Sequence, residues 1–224
     1  MNKIMMILRV LLSIPKTIYF NFVVFDFKTA ILLPIYVDNS ISIKGIYKNA
    51  ITIDCSYKKT FMIKFGIGGS KAIRGKRGII YVNHKQKGKI IFLGKAKFGT
   101  GIVLYNNSGT TIFDDNFSSN KNCFISCDYN VKFGKDVLLG WNINIRDSDG
   151  HKIIETSNKK IINNINIGNH VWICSNVDIL KGTQIGDNCI IGYRSLVCGL
   201  KCEDGKLIAG VPAKIIKNDV NWIK

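Results

Sequence analysis

The 224-residue sequence is poor in proline and in acidic side chains. Three prolines against 21 glycines suit a fold with many tight corners and few interrupted strands. Only 15 acidic residues oppose 32 lysines and arginines, so the net charge is +17. Hydrophobic residues at 46% and charged residues at 21% exclude a disordered chain and predict a globular one.

The shortage of acidic residues is greatest over residues 41–100, which contain 14 lysines and arginines and one acid, Asp54. A field of this sign attracts anions such as phosphates, acidic polysaccharides or lipid head groups. A solvated lysine-rich surface is the alternative interpretation. Nucleic acid is not an expected partner, because no nucleic-acid-binding module is visible and core packing explains the aromatic residues of the segment.

The seven cysteines include no C-x-x-C pair. Two C-x₃-C pairs, Cys123/Cys127 and Cys198/Cys202, resemble zinc half-sites, but several of these cysteines fall where the repeat described below requires a small buried residue. We therefore expect free thiols and a cytoplasmic protein. No metal is predicted.

The apolar run at the N-terminus is too short to cross a bilayer. The apolar N-terminus, residues 1–14, is interrupted by Arg9, and no small-residue cleavage site follows it. We predict a short helix that ends near Pro15. Two interpretations stay open for this helix: packing on the body of the protein, or lying on the inner membrane surface.

A period of six residues governs the C-terminal half. Apolar residues recur at this period, without a slip from Ile167 onward, and small or β-branched residues precede each by two positions. The apolar series is Phe133, Leu139, Ile145 and then Ile167, Ile173, Ile179, Ile185, Ile191 and Val197. Such a pattern predicts one flat face and one turn per hexad, with three faces closing a triangular coil of about eighteen residues.

The predicted fold is therefore all-β, a parallel β-helix. We expect an N-terminal helix and lead-in over 1–40, the β-helix domain over 41–217, and a tail over 218–224. Coils should be irregular, or form a strand-rich cap, to about 100, and be regular from about 120 to 200. A closing strand or short helix should follow, with Trp222 folding back on the body.

The repeat breaks once, because the 22 residues from Ile145 to Ile167 are not a multiple of six. A loop over about 146–166 must leave the coil there, and loops on rigid scaffolds are common sites of function. This loop contains His151, one of three histidines. An imidazole can accept the proton of an attacking hydroxyl, and either Asp147 or Asp149 is close enough in sequence to orient it.

Four stretches, 120–129, 133–151, 167–173 and the Gly-Val-Pro-Ala-Lys ending at Lys214, resemble the hexapeptide-repeat acyltransferase superfamily. Over about 98–217 the sequence is similar to galactoside and maltose acetyltransferases. Its opening segment is more similar to acyltransferases of surface-polysaccharide gene clusters. The resemblance implies a left-handed coil and a homotrimer. It also implies transfer of an acetyl group from acetyl-CoA to a sugar hydroxyl during capsule, lipopolysaccharide or exopolysaccharide synthesis.

The resemblance also implies residue roles. His151 is the general base for direct attack on the thioester, with a backbone N–H for the oxyanion. Asn120 and Asp128 lie at acceptor positions, and Trp172 shapes the pocket floor or the pantetheine path. Further donor positions, from the thioester to the CoA phosphates, are Ser175, Gly192, Tyr193, Lys214 and Lys217. The sequence departs from the family pattern at Cys174, Tyr193, Cys198 and Lys214.

Several alternatives remain. An N-acyltransferase acting on an amino sugar would use the same base and donor groove. A zinc enzyme of the γ-carbonic anhydrase type shares the coil, but His84, His151 and His170 are its only candidate ligands and lack the required pairing. A non-catalytic anion-binding solenoid would keep the repeat without needing His151. The basic segment 41–100 suggests that the acceptor is acidic.

Overall fold

The computed structural model describes residues 3–151 and 163–223. These residues form helices α1 (Lys3–Val24) and α2 (Phe27–Ala30) and 23 strands. In chain order the strands are β1 Ile35–Val37, β2 Ile41–Lys44, β3 Ile51–Ile53, β4 Ile63–Phe65, β5 Gly78–Val82, β6 Lys89–Phe92, β7 Ala96–Phe98, β8 Val103–Asn106, β9 Thr110–Phe113, β10 Phe117–Ser119, β11 Phe124–Cys127, β12 Asn130–Phe133, β13 Leu138–Leu139, β14 Asn144–Arg146, β15 Ile165–Ile167, β16 Trp172–Ile173, β17 Asp178–Leu180, β18 Gln184–Ile185, β19 Ile190–Ile191, β20 Leu196–Cys198, β21 Lys201–Cys202, β22 Leu207–Gly210 and β23 Ala213–Lys217.

Every third strand joins the same sheet, which gives three parallel sheets around one axis. Sheet A contains β1, β4, β7, β10, β13, β16, β19 and β22, with β23 added at its end. Sheet B runs from β2 to β20 and sheet C from β3 to β21. In the regular coils Ile167 pairs with Ile185 and Ile173 with Ile191, so one coil takes the expected eighteen residues. The predicted left-handed parallel β-helix is confirmed.

The core changes character along the axis. In the later coils the predicted aliphatic residues stack inward and are buried, together with the small residues two positions before them. In the earlier coils phenylalanine takes the inward position. The rings of Phe92, Phe113 and Phe133 stack at 5.3 and 5.2 Å between neighbours. The irregular coils expected before residue 100 therefore belong to the same solenoid, since β1–β9 pair with the later strands in unbroken order.

Helix α1 is longer than predicted and continues past Pro15 to Val24. Proline lacks the N–H that would bond the carbonyl four residues earlier, so a helix usually ends there. Here Ser13 and Thr17, on either side of Pro15, are hydrogen-bonded to the first coil and hold both halves of the helix in place. The segment Ile7–Val24 is long and apolar enough, by length and composition, to cross a membrane.

The contact between α1 and the β-helix combines the buried apolar side chains of Phe20 and Val24 with a row of polar side chains. Three side chains spaced by four residues, Ser13, Thr17 and Asn21, satisfy backbone groups along the free edge of β1. One turn earlier, Arg9 donates two hydrogen bonds to the buried carboxylate of Asp38, at 2.6 and 2.8 Å. An edge strand with unpaired backbone groups is a template for aggregation, and α1 covers this one.

The C-terminal end closes as predicted, with a strand and a returning tryptophan. Strand β23 pairs antiparallel with β22. The Trp222 ring lies parallel to the His170 ring at 4.3 Å, and its Nε1–H donates to the His170 carbonyl at 2.8 Å. His170 has a positive φ of 52°, as a turn residue of the coil.

All seven cysteines are free thiols. Cys123, Cys127 and Cys189 are buried in the core, and Cys123 and Cys189 occupy the small-residue positions of their coils. Burial raises the pKa of Cys123 to about 12, so this thiol stays protonated and packs as a small apolar side chain.

Candidate functional site

The predicted site residues lie along the two edges of sheet B. We call the corner that follows sheet B strands the B–C edge; it carries Asp128, Asp147, Asp149 and His151. The corner that precedes them is the A–B edge; it carries Asn120, Ser175, Gly192 and Tyr193. Within one chain, sheet B therefore separates the predicted base from most of the predicted donor site.

Asp147 holds the B–C edge together. Its side chain is fully buried, and its two carboxylate oxygens accept the backbone N–H groups of Asp128 and Tyr129, each at 2.8 Å. Burial raises the pKa of this carboxyl, and the two backbone donors oppose that rise only in part. Asp147 therefore fixes the position of Asp128 in the neighbouring coil.

Asp149 is engaged on the outside of the same edge, where its carboxylate pairs with the Lys181 ammonium. His151 follows two residues later and is exposed. In residues 3–151 and 163–223, neither Asp147 nor Asp149 is hydrogen-bonded to the His151 ring. The rest of the predicted loop, residues 152–162, lies outside the described residues, and the orientation of the imidazole stays a prediction.

A pocket of about 490 Å³ opens beside this loop and extends to Gly150, the residue before His151. Its polar lining includes Asp128, Arg146 and Asp149, and its aromatic lining includes Tyr105, Phe124 and Tyr129. Two of these aromatic rings pack against a neighbouring side chain. Tyr105 stacks on Tyr81 at 4.5 Å, and the Arg146 guanidinium lies over Phe124 at 5.0 Å. A site of this kind suits a ligand with hydroxyl groups and apolar faces.

The sequence analysis did not identify Tyr105, Phe124 or Arg146. A signal was present, because Tyr105 and Arg146 occupy outward positions of β8 and β14 while their neighbours Leu104 and Ile145 point into the core. A large aromatic side chain exposed on a solenoid face is the kind of residue that binding sites use. The pairing of β8, β11 and β14 then brings the three residues together.

Asn120 does not reach the pocket within one chain. Its Oδ1 accepts the backbone N–H groups of Ser70, at 2.7 Å, and Lys121, at 2.9 Å. These bonds tie the loop after β4 to the A–B edge. Asn120 thus has a clear structural role in the single chain, and its predicted contact with the acceptor stays a prediction.

The donor residues predicted on the A–B edge stack in successive coils. The Ser175 hydroxyl accepts the Trp141 N–H at 3.1 Å, and the Ser175 carbonyl accepts the Arg194 N–H at 3.2 Å. Gly192 packs closely against Ala209 in the next coil. A Cβ added to this glycine would lie 3.0 Å from the Ala209 Cβ. Tyr193 is exposed, with the Arg194 guanidinium 5.6 Å from its ring.

The two predicted phosphate-binding lysines lie on β23. Lys214 is paired with Ala209, which brings it next to Gly192. Lys217 pairs with Leu207, three residues further towards the opposite edge of sheet A. Trp172 points outward from β16 and lies 6.1 Å from Trp222. Arg194, which the sequence analysis did not single out, is a further cation on the A–B edge.

The three histidines lie at different places on the solenoid. The His84 ring packs against Tyr47, and the His170 ring nitrogens contact Asp136 and the Trp222 carbonyl. His151 lies on the B–C edge. A zinc site built from these three residues is therefore excluded by their separation. Among the described residues, no cluster of three or more metal-ligating side chains is found.

Comparison with known proteins gives the repeat its family. The model of the bacterial transferase hexapeptide, six repeats, matches residues 164–199. The predicted resemblance to hexapeptide-repeat acyltransferases is confirmed. The matched coils contain Ser175 and Gly192 and begin just after the loop that carries His151.

Several curated relatives of the chain are acetyltransferases by name. It is 34% identical over 132 residues to the putative lipopolysaccharide biosynthesis O-acetyl transferase WbbJ of Escherichia coli K12, covering 54% of this chain and 62% of the relative. It is 36% identical over 105 residues to the galactoside O-acetyltransferase of the same strain, covering 46% and 51%. Identity to the polysialic acid O-acetyltransferase of Escherichia coli O1:K1 is 33% over 148 residues, covering 65% and 44%. The chain thus spans less than two thirds of the length of each of these relatives.

Proposed function

We propose that this protein is an acetyl-CoA-dependent O-acetyltransferase that modifies a sugar hydroxyl during surface-polysaccharide synthesis in the cytoplasm. The observation that carries the proposal is the position of His151. It lies where the chain leaves a rigid hexapeptide coil, beside a pocket lined by aromatic and polar side chains. The printed names of the relatives, which include lipopolysaccharide and polysialic acid O-acetyltransferases, support the same reaction class.

The proposed reaction is a direct transfer. The acceptor hydroxyl donates a hydrogen bond to the imidazole of His151, which takes its proton as the oxygen attacks the thioester carbonyl carbon. The new C–O bond forms, the C–S bond breaks, and the proton passes from His151 to the departing thiolate. The ester and free CoA are the products, and a backbone N–H stabilises the oxyanion between the two steps.

The A–B edge fits the acyl donor chemically. Acetyl-CoA supplies an activated acyl group on a long pantetheine arm that ends in phosphates. Ser175, Gly192 and Tyr193 form a stacked column along which such an arm can lie, with backbone groups available to it. The cations Lys214 and Arg194 lie at the end of this column, and charge-assisted hydrogen bonds from such groups hold phosphates.

The donor and acceptor edges lie on opposite sides of sheet B, so one chain alone does not bring His151 to the thioester. We propose that the active site forms between neighbouring chains of a homotrimer. The A–B edge of one chain would face the B–C edge of the next. The same arrangement would bring Asn120 of one chain to the pocket of its neighbour, a contact that the single chain does not make.

The acceptor is proposed to be acidic. Arg146 lines the pocket, and Lys76 and Arg77 lie with Arg146 around an adjoining depression on the same sheet. The basic segment 41–100 extends this field. Turnover on an acidic glycan should therefore fall more steeply with salt than turnover on a neutral sugar. Equal salt dependence for both acceptors would rule out this part of the proposal.

Acyl transfer to an amino sugar is the second candidate, since the same base and donor edge would serve an amine. The pocket supplies no observation that favours an amine over a hydroxyl. Identifying the product as an alkali-labile ester or an alkali-stable amide separates the two reactions.

The test is release of CoA from acetyl-CoA across a panel of neutral and acidic glycans, with the wild type and His151→Ala. Loss of a general base should lower acceptor-dependent release by about 10²–10⁴-fold. His84→Ala is the matched control, because His84 packs on Tyr47 in the N-terminal coils and should leave turnover unchanged.

Binding of CoA, measured in parallel, separates the possible failures. Wild-type turnover in His151→Ala with normal CoA binding would remove His151 from the mechanism. A wild type that binds no acetyl-CoA would exclude the acyltransferase function itself.

A further inference from the structure

Helix α1 is apolar on its outer side, and its inner side carries polar side chains beside the buried Phe20 and Val24. Its polar side chains face the protein, where Ser13, Thr17 and Asn21 bond the backbone of the first coil. Its two cations within the described side chains also turn inward: Arg9 bonds Asp38, and the Lys16 ammonium donates to the carbonyls of Asn39 and Ile41. A surface helix of a soluble protein normally presents polar and charged side chains to the solvent.

The outward side of α1 and α2 is apolar and exposed. We call this surface the outer apolar face. Residues 1–25 contain no acidic residue. The exposed apolar side chains of the face are Met5, Ile7, Leu8, Leu11, Leu12, Ile18, Tyr19 and Phe22 of α1, with Phe27, Ile31 and Leu32 from α2 and the residues after it. Leu11 and Leu12 are 60% and 66% exposed. A contiguous apolar surface of this kind marks a contact with a partner or a membrane.

Lysines border the outer apolar face on sheet A. Lys64 and Lys97 point outward from β4 and β7. Together with Val10, Tyr36 and Phe61 they line a depression of about 450 Å³ beside α1. Lys59 and Lys95 continue the basic row in the adjoining depression. The border of the apolar face is thus positively charged.

We propose that the outer apolar face and this lysine row dock the protein onto the surface of an anionic lipid bilayer. Apolar and aromatic side chains would enter the boundary between head groups and acyl chains, and the lysines would contact anionic head groups. The helix lies in the plane of the membrane and does not cross it. Crossing would strip Asn21 and Thr17 from β1 and leave backbone groups of the first coil unpaired.

A second copy of the chain is a poorer occupant. Two such faces in contact would bring their lysine rows together in a protein of net charge +17, and like charges oppose that association. An anionic bilayer offers an apolar environment to the outer apolar face and negative charge to the lysines. The proposal does not depend on the acetyltransferase reaction, because it concerns the opposite end of the molecule from the donor lysines.

Sedimentation of the full-length protein with vesicles tests the proposal. We expect binding to phosphatidylcholine vesicles containing about 30% phosphatidylglycerol, much weaker binding to pure phosphatidylcholine, and a loss of binding as salt rises. Leu11→Ser/Leu12→Ser should weaken binding to the mixed vesicles by about tenfold or more. Lys64→Glu/Lys97→Glu should remove most of the preference for the anionic lipid.

The matched control is Ile216→Ser/Ile223→Ser, which changes two exposed apolar residues at the other end of the β-helix. It should bind vesicles as the wild type does. All changed positions are exposed or at the border of a depression, and thermal unfolding followed by circular dichroism verifies that each variant is folded.

Three results would overturn the proposal. The first is a wild type that binds neither type of vesicle. The second is equal binding by Leu11→Ser/Leu12→Ser and the control. The third is a fall in molar mass of the Leu11→Ser/Leu12→Ser variant by light scattering while vesicle binding persists, which would assign the face to an interface between copies.

Discussion

At the N-terminal end of the β-helix, side chains of helix α1 form hydrogen bonds with the backbone of the terminal strand, β1. At the C-terminal end, the backbone of β23 forms hydrogen bonds with the terminal parallel strand, β22. Asn21 bonds both the N–H and the carbonyl of Ile35. In contrast, β23 pairs with β22 through main-chain hydrogen bonds, and Trp222 is held on His170 by a ring stack and two hydrogen bonds.

The difference decides which side chains remain for function at each end. Because the polar side chains of α1 form hydrogen bonds with the first coil, the outer face of the helix is apolar, as a membrane-binding surface requires. Because β23 closes the other end with its backbone, the side chains of Lys214 and Lys217 remain free to meet anions. The mode of closure thus leaves a different surface at each end of the solenoid, apolar at α1 and cationic at β23.

Asn21→Ala is expected to have the largest effect on stability. It leaves the N–H and carbonyl of Ile35 buried without partners, and we predict a loss of about 2–4 kcal/mol in the free energy of unfolding. Urea unfolding measures it. Asn39→Ala is the matched control, since Asn39 is exposed and contacts α1 through its backbone, with its N–H donating to Ser13 and its carbonyl accepting from Lys16. A loss of unfolding free energy no greater than that of Asn39→Ala would show that the side-chain hydrogen bonds of α1 do not stabilise this end.

Asp38→Asn should cost less, about 1–3 kcal/mol, because Arg9 is partly exposed and can reach water when its partner is lost. The amide keeps one acceptor oxygen but not the charge that holds both guanidinium nitrogens. Asp54→Asn, on an exposed carboxylate of the adjoining coils, serves as control in the same urea titration. Equal small costs for both variants would mean that the Arg9–Asp38 pair adds nothing to the docking of α1.

The pH dependence of the same pair gives a smaller, graded effect. Burial alone would raise the pKa of Asp38, but hydrogen bonds from Arg9 and Ser40 outweigh it, and the pKa lies below its usual value. A lowered pKa gives stability that is present above the unfolded value of about 3.9 and is lost as the pH falls through the folded value. The unfolding free energies of the wild type and Asp38→Asn should therefore converge below about pH 4. A constant gap from pH 7 to pH 3 would contradict this assignment.

The sequence predicted the β-helix well, because a core position every six residues cannot be satisfied by a helix or by a simple alternating strand. Ile167, Ile173 and Ile179 each lie where that period requires. It predicted the end of α1 poorly. The rule that proline ends a helix is local, whereas the bonds of Ser13 and Thr17 to residues 37 and 39 are made only in the folded chain.

The site was predicted in the same uneven way. The break in the repeat located His151 and its loop, since a spacing that is not a multiple of six can be read directly from the sequence. The pocket was not predicted, because Tyr105, Phe124 and Arg146 come together only through the pairing of successive coils. Asp147 and Asp149 were both candidates to orient the imidazole, and the buried carboxylate of Asp147 accepts the backbone N–H groups of Asp128 and Tyr129. Sequence spacing alone does not tell which face of a corner a carboxylate takes.

Trp222→Phe should have the smallest effect, about 1 kcal/mol, because the ring stack on His170 is kept and only the bond from Nε1 to the His170 carbonyl is lost. Trp141→Phe is the control, since Trp141 is hydrogen-bonded through its backbone: its N–H donates to the Ser175 hydroxyl and its carbonyl accepts from the Asn176 N–H. Amide hydrogen exchange gives the location of each effect. In a solenoid each coil contacts only its neighbours, so Trp222→Phe should speed exchange in β22 and leave β1 unchanged, and Asn21→Ala should do the reverse. Faster exchange at both ends in either variant would mean that the two closures are coupled through the core, and the division of roles between the ends would not hold.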